Sequence, residues 1–212
     1  MARTFFSSRH AGNLATHVGD DPEQVRIRRE KMKTLLSTSD LVFMEQTHSD
    51  QVVEVTADRQ AAYEADALFT SVKGISLSVL TADCIPLLIS TSTHVAAVHV
   101  GRPGLVNEIA IKTVHAMRNA GATDFAAVMG PSVCGECYEV SPEMYAEVIA
   151  QIPATATTAQ KHALNLQQGL RFQLESLGVQ VSDLARCTKE DSNYFSYRRE
   201  QSTGRQIGVI SL

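Results

Sequence analysis

The segment from residue 74 to residue 104 constrains the fold more than any other part of this sequence. It contains three short apolar runs, GISLSVLT, IPLLIS and HVAAVHV, with only a few polar or turn-forming residues between them. Runs of this length, with branched residues and partial alternation of apolar and small polar side chains, are typical of strands. Such short connections cannot contain a crossover helix. The segment therefore excludes a fold built purely from alternating β-α-β units.

Four other segments carry the signals of helices. Asp20 or Asp21 can cap a helix that has Pro22 in its first turn, and Ser141 can do the same before Pro142. Gly121 ends an apolar pattern with helical spacing. The helices are predicted within residues 18–36, 105–121, 141–152 and 164–178.

The remaining apolar runs predict further strands. Residues 41–47 and 51–55 are predicted to form strands around the short turn His48-Ser49-Asp50, which would put His48 at a hairpin tip or strand end. Residues 101–104 are predicted to be a turn, and no linker or repeat divides the chain. We therefore expect an α+β (mixed α/β) fold: one compact domain over residues 1–212, with mixed β-sheets and flanking helices. The other strands are expected at 124–129, 179–188 and 205–212.

Charge and composition narrow the class of protein. The 212 residues include 19 Lys and Arg against 23 Asp and Glu, a net charge of −4, which argues against an electrostatic nucleic-acid binder. No apolar run approaches the roughly 20 residues that span a bilayer, so no membrane partner is expected. The opening MARTFFSSRHAG lacks the apolar core of a secretory signal, so a cytoplasmic protein with free thiols is expected. Small polar substrates remain, and a monomer is compatible with these features.

Three side chains that can bind metals fall at the predicted strand ends: His48, Cys84 and His99. Zinc prefers histidine nitrogen and cysteine sulfur, and a catalytic zinc has three protein ligands and one open position. A single histidine at a strand end is more often only a hydrogen-bonded residue, so the spacing leaves both interpretations open. The other five histidines are predicted to be solvated or capping: His10, His17, His94, His115 and His162.

Five long blocks carry a resemblance that covers nearly the whole chain. They resemble, in order, the signature blocks of a bacterial family known as multicopper polyphenol oxidases (laccase-like) and as peptidoglycan editing factors. The family has also been described as zinc-dependent purine nucleoside phosphorylases and adenosine deaminases. The blocks are EQTHSDQV, YEADALFTSVKGISLSVLTADCIPLLI, AAVHVGRPG, VMGPSVCGECYEVSPE and CTKEDSNYFSYRREQSTGRQIGVISL.

The resemblance implies a function and a ligand set. The family's metal ligands match His48, Cys84 and His99, which implies one zinc ion with an open coordination position. It implies phosphorolysis of purine nucleosides and deamination of adenosine, with nucleoside and phosphate as the small-molecule partners. Copper is the less favoured metal, because the sequence lacks the additional His or Met cluster of a multicopper centre.

Proton transfer and substrate binding require further residues. Asp83 is the nearest carboxylate to Cys84 and is the predicted catalytic acid or base, provided that the chain bends between Ala82 and Ile85. Arg9 and Arg198 stand in family blocks and are the predicted substrate-binding residues, since a guanidinium suits oxyanions. Weaker candidates are Glu45 and Glu139 for proton transfer, Arg29, Arg199 and Arg205 for anion binding, and Tyr194, Phe195 and Tyr197 for stacking on a base.

Two departures from the family pattern fall where substrate is expected. The block that usually reads HAGWRG is HVGRPG here, so Arg102 replaces a tryptophan and Pro103 an arginine. The glycine- and serine-rich loop before Asn13 is also shorter. Both changes could alter nucleoside specificity while leaving the metal ligands intact.

Three competing functions remain open. Cys84 could be the nucleophile of a metal-free hydrolase acting on a peptidoglycan precursor. A copper site could oxidise phenols, or a degenerate member could only bind a ligand.

The pair Cys134 and Cys137 forms a C-x-x-C motif, typical of a redox pair or half of a zinc site. Without a second such motif, structural thiols near a turn are the favoured interpretation.

Overall fold

The computed structural model describes residues 2–60, 62–158 and 161–212, in which ten strands form two sheets. The four-stranded sheet has the order β1-β10-β5-β2, and the six-stranded sheet has the order β3-β4-β7-β6-β8-β9. Each sheet contains both parallel and antiparallel pairs. The strands are β1 (Arg3–Phe6), β2 (Asp40–Val42), β3 (Val52–Glu54), β4 (Ala67–Thr70), β5 (Ile75–Thr81), β6 (Ile85–Ser90), β7 (Val95–Val100), β8 (Ala126–Met129), β9 (Gln180–Asp183) and β10 (Gln206–Ser211).

Six α-helices accompany these strands in the described part of the chain. The capping predictions are confirmed: the Asp21 side chain accepts a hydrogen bond from the backbone of the helix that begins at Pro22, and the Ser141 side chain does so for the helix that begins at Pro142. A proline follows each cap in the first turn, where its missing N–H costs nothing. The helices are α1 (Pro22–Leu35), α2 (Arg102–Val106), α3 (Ile109–Asn119), α4 (Pro142–Gln151), α5 (Leu166–Ser176) and α6 (Tyr197–Glu200).

Four layers stack in order: α1, the four-stranded sheet, the six-stranded sheet, and the pair α3 and α5. Successive residues of β5 point to opposite faces, so Leu77 and Val79 pack between the two sheets while Leu80 packs toward α1. The outer face of the six-stranded sheet is covered by α3 and α5, whose Met117 and Leu170 are fully buried against it. Burial of each such side chain contributes ~1.5–3 kcal/mol, and these layers hold most of the core. The α+β fold class with mixed sheets and flanking helices is confirmed.

One corner of the chain moves from the first sheet to the second. β5 belongs to the four-stranded sheet and β6 to the six-stranded sheet, and only residues 82–84 connect them. Asp83 in this corner has φ of 97°, a conformation that residues with a side chain rarely adopt. The corner places Cys84 at the rim of the core between the sheets. His99, which shares a face of β7 with Val95 and Ala97, lies at the same rim.

Three local predictions were wrong. Residues 41–47 and 51–55 do not form a hairpin: β2 pairs in parallel with β5, whereas β3 pairs in parallel with β4 in the other sheet. The predicted turn at 101–104 is the start of α2, because Pro103 fits the first turn of a helix. The helix predicted over 105–121 is two helices, interrupted at Glu108, whose φ is 61°.

A helix that crosses a bilayer must be both long and apolar. Among residues 2–60, 62–158 and 161–212, no helix combines the length and the apolar character needed to cross a membrane.

Candidate functional site

His48, Cys84 and His99 meet in space. The Cys84 Sγ lies 3.8 Å from the His48 Nε2, and the two imidazole ring centroids are 4.7 Å apart. One ligand atom from each residue lies within 4.8 Å of the others. Donor atoms bound tetrahedrally to one zinc ion are separated by about 3.3–3.8 Å. We call these three residues the His48 cluster. It brings together three segments that are distant in the sequence.

Asp66, which is fully buried, organises this cluster. Its Oδ1 accepts a hydrogen bond from the His99 Nδ1 at 2.7 Å and another from the His48 backbone N–H at 3.1 Å. Its Oδ2 accepts bonds from the backbone N–H groups of Thr47 and Ser49 and from the Ser49 hydroxyl. A carboxylate that holds one nitrogen of a histidine leaves the other nitrogen available as a ligand. Asp66 therefore fixes both the orientation of His99 and the loop that carries His48.

Local backbone geometry brings the cluster close together. His48 has φ of 58°, in the left-handed region that residues other than glycine seldom occupy. Gly101 packs directly against the cluster, since a Cβ at this position would lie 3.0 Å from both the Cys84 Sγ and the His48 Cδ2. Only glycine leaves this space free. No local sequence pattern indicates this role of Gly101, because the contact is between residues far apart in the chain.

The cluster strongly perturbs the protonation of its members. Burial raises the pKa of the Cys84 thiol, but the positive charge of His99 and hydrogen bonds from both histidines outweigh burial and lower it to about 6. Burial lowers the pKa of His99, but the charge of Cys84 and the bond to Asp66 raise it to about 9. Without a cation, these opposite pKa shifts favour a thiolate at Cys84 paired with an imidazolium at His99. Positive charge from a bound metal would likewise stabilise the thiolate.

A cavity of about 350 Å³ opens onto the His48 cluster. Its wall combines hydrogen-bonding, aromatic and cationic side chains, a composition that suits a polar, aromatic and anionic ligand. Besides the cluster, the lining residues are His17, Gln46, Leu80, Thr81, Ala82, Asp83, Tyr138, Tyr197, Arg198 and Arg205.

Asp83 lines this cavity, but its carboxylate is already engaged. Its Oδ1 accepts a hydrogen bond from the Thr188 hydroxyl at 2.6 Å, and its Oδ2 accepts one from the Arg198 backbone N–H at 2.6 Å. The bend between residues 82 and 85 that the sequence analysis required is present. These contacts favour a role for Asp83 in holding Thr188 and Arg198 beside the cavity. The catalytic role of Asp83 stays a prediction.

The five candidate arginines separate into two groups. Arg198 and Arg205 line the cavity, and the Arg198 guanidinium lies 4.4 Å from the centre of the Tyr138 ring. Arg9 lies apart from the described lining, in an ion pair with Glu200 and over the Phe195 ring. Arg29 is stacked on Phe43, and Arg199 donates to backbone carbonyls and to Glu200.

The weaker candidates are also separated by the fold. Glu139 forms an ion pair with Lys161, and Glu45 lines a neighbouring cavity. Phe195 is buried, whereas Tyr197 lines the cavity beside the His48 cluster and is 54% exposed.

Sequence reasoning missed several residues of the site. Tyr138 lines the cavity, and burial raises the pKa of its hydroxyl, the largest of several influences on it. His17 also lines the cavity, and burial together with the charges of Arg205 and Arg29 lowers its pKa.

His94 was predicted to be solvated or capping but is buried, with a hydrogen bond between its Nδ1 and the Thr93 hydroxyl.

Comparisons with known proteins agree with this architecture. The chain is 44% identical to a purine nucleoside phosphorylase of Corynebacterium glutamicum, in an alignment that covers 94% of this chain and 86% of the relative. It is 42% identical to a purine nucleoside phosphorylase of Streptomyces coelicolor, over 94% of this chain and 87% of the relative. A crystal structure of a Neisseria meningitidis protein superposes with a TM-score of 0.90 at 29% identity, covering 100% of this chain and 94% of that one.

The sequence profile of one protein family extends over almost the whole molecule. Residues 4–212 match the family described as multi-copper polyphenol oxidoreductase laccase. The profile includes the described sheets, the His48 cluster and the wall of its cavity. The chain therefore belongs to the multi-copper polyphenol oxidoreductase laccase family.

Proposed function

We propose that this protein is a zinc-dependent enzyme that cleaves purine nucleosides with phosphate and also deaminates adenosine. One observation carries the proposal: the His48 cluster opens onto a cavity whose wall includes Arg198 and Arg205. Potential metal ligands, cationic side chains and aromatic rings thus face the same space. The substrate class is that named for the Corynebacterium and Streptomyces relatives, which are purine nucleoside phosphorylases.

The chemistry of the donor set fits zinc. Two imidazoles and one thiolate are ligands that zinc prefers, and three protein ligands are typical of a catalytic rather than a structural zinc site. A zinc ion bound there would supply positive charge that polarises a substrate heteroatom or lowers the pKa of water. The hydrogen bond from His99 to Asp66 is the outer-shell contact that metal-binding histidines normally make.

Copper fits this donor set less well. Blue-copper sites also use two histidines and a cysteine, but they add a weak axial ligand that is commonly methionine. The described lining of the cavity contains no methionine. A multicopper centre needs further histidines, and among the described residues only one other His, Cys, Asp or Glu group can hold a metal ion, and it contains no histidine.

The cationic wall supports phosphorolysis. In this reaction a phosphate oxygen forms a bond to the anomeric carbon of ribose, and the bond from that carbon to the purine nitrogen breaks. Arg198 and Arg205 line the cavity and would bind the phosphate, because a guanidinium pairs with two oxyanion oxygens at once. Asp83 holds the Arg198 backbone in place, and Thr203 and Gly204 carbonyls accept bonds from Arg205.

Aromatic and neutral groups can bind the nucleoside. Tyr138 and Tyr197 offer ring surface and hydroxyl groups to a purine base. The lowered pKa of His17 keeps its imidazole neutral at pH 7, so it can donate and accept hydrogen bonds to a ribose or purine atom. For deamination, water replaces the amino group at C6 of adenosine, and ammonia leaves.

The test of this proposal uses the purified full chain with adenosine or inosine, with and without phosphate. We expect phosphate-dependent release of adenine or hypoxanthine with equimolar ribose-1-phosphate. We also expect phosphate-independent conversion of adenosine to inosine and ammonia. Arg205→Gln should raise the KM for phosphate by about tenfold, the loss of one charged hydrogen bond. Arg26→Gln, on the exposed face of α1, is the matched control. Absence of both products from zinc-loaded protein would refute the proposal.

A second candidate function rests on the thiolate. The lowered pKa of Cys84, beside His99 with its raised pKa, resembles the activated pair of a cysteine hydrolase. Metal analysis separates the two functions. Activity that persists in metal-free protein and is lost on alkylation of Cys84 would favour the hydrolase, with peptidoglycan fragments as the substrates to assay.

A further inference from the structure

A second group of metal-binding side chains lies outside the cavity of the His48 cluster. Cys134, Cys137, Cys187 and Glu190 each place one ligand atom within 4.8 Å of the others. We call these four residues the Cys134 cluster. Only the first two form a motif that is recognisable in the sequence, a C-x-x-C without a second half. In the fold, the second half is a C-x-x-E turn at residues 187–190.

Both turns are built to direct side chains to one point. In the first, the Cys137 and Tyr138 N–H groups donate to the Cys134 carbonyl, at 3.0 and 3.1 Å. In the second, the Asp191 N–H donates to the Cys187 carbonyl at 2.9 Å. Ser132 and Cys187 form a parallel bridge that aligns the two turns. Each turn therefore presents its two ligands at a spacing of three residues, as in zinc sites formed by paired short motifs.

The contacts within the cluster are those expected around metal-bound thiolates. The Cys134 backbone N–H donates to the Cys187 Sγ at 3.4 Å, and the Cys137 Sγ lies 3.5 Å from the Glu190 Oε1. The second separation joins two of the proposed ligand atoms and falls within the spacing of about 3.3–3.8 Å between ligands of one tetrahedral zinc. All three cysteines are free and partly buried.

Electrostatics explains why a cation belongs here. Three sulfur atoms and one carboxylate have ligand atoms within 4.8 Å of one another, and they cannot carry negative charge together at this range without compensation. A dication removes this penalty and binds all three thiolates. A disulfide between Cys134 and Cys137 would leave Cys187 and Glu190 without a partner.

We propose that Cys134, Cys137, Cys187 and Glu190 bind a structural zinc ion that is distinct from the metal of the His48 cluster. This ion would join the segment after β8 to the segment after β9. Those segments also hold the corner at Asp83: the Val133 N–H donates to the Asp83 carbonyl, and the Thr188 hydroxyl donates to the Asp83 carboxylate. Val133 and Thr188 each adjoin a cysteine of the cluster. The structural zinc therefore supports the corner that carries Cys84.

Metal stoichiometry tests this proposal on the full chain, purified without chelators and analysed by elemental mass spectrometry. We expect two zinc ions per chain in the wild type, one in His48→Ala, one in Cys187→Ser and none in the double variant. If the first site fails and the second holds, the wild type contains one zinc that His48→Ala retains. The two proposals are therefore tested separately. A wild type with one zinc and a His48→Ala variant with none would overturn the structural site.

Two measurements remain decisive if Cys187→Ser does not fold. Cobalt(II) loaded into His48→Ala should give the intense sulfur-to-cobalt absorption of several thiolates, and no such band would contradict the proposal. Alkylation of the denatured wild type without reductant should modify all four cysteines. Two fewer modifications would indicate a disulfide in place of the zinc. Glu190→Gln should weaken zinc retention, whereas Glu136→Gln, in the exposed part of the first turn, serves as its matched control.

Discussion

The His48 cluster and the Cys134 cluster are assembled in different ways. The first draws one residue from each of three distant segments, and it depends on buried Asp66 and on the missing side chain of Gly101. The second consists of two short turns, each supplying two ligands. The His48 cluster supplies three ligands and opens onto a cavity, which leaves one position of a zinc ion free, whereas the Cys134 cluster supplies four ligands, as structural zinc sites do. We therefore propose that the first is a reactive centre and the second a structural site.

The net charge of each set of ligands supports the same distinction between the two clusters. A dication bound by two neutral imidazoles and one thiolate retains a net positive charge with which to act on a substrate. Three thiolates and a carboxylate outweigh the charge of the same ion, which leaves little capacity to polarise a ligand. The two clusters would therefore hold the same element with different chemical character.

The largest expected effect comes from removing a ligand of the His48 cluster. His48→Ala should abolish metal binding at this cluster and lower kcat/KM for phosphorolysis by more than the ~100-fold that outer-shell losses cause. Thermal unfolding of the two proteins in metal-free form should differ little, because His48 is exposed. Elemental analysis and steady-state assays provide the measurement. Full activity in metal-depleted His48→Ala would contradict the proposal that the His48 cluster is the reactive centre.

Asp66→Asn should have the next largest effect, on metal affinity. The amide cannot accept all of the hydrogen bonds from His99 and the loop that carries His48, so the zinc dissociation constant should rise by ~10–100-fold. Competition with a chromophoric chelator measures this change. The zinc of the Cys134 cluster should be unaffected, and equal weakening of both sites would show that the clusters are not independent.

The same variant gives a pH signature. Burial raises the pKa of Asp66, but bonds from His99 and Ser49 outweigh burial and lower it from 3.8 to about 2. Because the folded-state pKa is lowered, the stabilising contribution is present above pH 4 and is lost as the pH falls toward 2. It amounts to ~2 kcal/mol. In metal-free protein, the free energy of unfolding of the wild type should approach that of Asp66→Asn over this range. A difference that stays constant with pH would contradict this account.

Gly101→Ala should distinguish the two clusters, because the added methyl group crowds only the His48 cluster. The added Cβ would lie 3.0 Å from the Cys84 Sγ, and such overpacking costs ~1–3 kcal/mol. We expect zinc affinity at this cluster to fall by about tenfold. Gly208→Ala is the matched control, because its Cβ would lie 3.0 Å from the Phe6 ring. The control should lose stability without losing zinc, and zinc loss in both variants would point to general unfolding.

The smallest effect is expected from Glu190→Gln. This residue is exposed and lies outside the cavity of the His48 cluster, so kcat/KM for phosphorolysis should change by about twofold or less. Zinc at the Cys134 cluster should nevertheless exchange faster in chelator-release kinetics. A large loss of activity in Glu190→Gln would mean that the Cys134 cluster and the His48 cluster form one functional unit.

Local patterns predicted the elements of the fold better than their partners. The strands within residues 74–100 follow from their short apolar runs, and the helices that begin after Asp21 and Ser141 follow from caps only a few residues long. The pairing of β2 with β5 and of β3 with β4 could not be predicted in this way. A strand pattern specifies which face is apolar but not which neighbour supplies the hydrogen bonds.

The site divides along the same line. Donor chemistry identified His48, Cys84 and His99 as candidates, but their spacing did not require them to meet. The role of Asp66 could not be recognised in the sequence, because it depends on hydrogen bonds from residues 17–33 positions away. Cys187 and Glu190 were missed for a similar reason: 53 residues separate them from their partners in the C-x-x-C turn.

The central place of β10 in its sheet has a consequence for biosynthesis. β1 pairs with β10, and Arg198 and Arg205 precede that strand closely, so the earliest strand of the chain must wait for the latest one to emerge. Contacts across such a sequence separation slow folding. A nascent chain still lacking this segment would have an open sheet edge and an incomplete cavity wall. It would contain all three residues of the His48 cluster but neither of the two arginines that line the cavity.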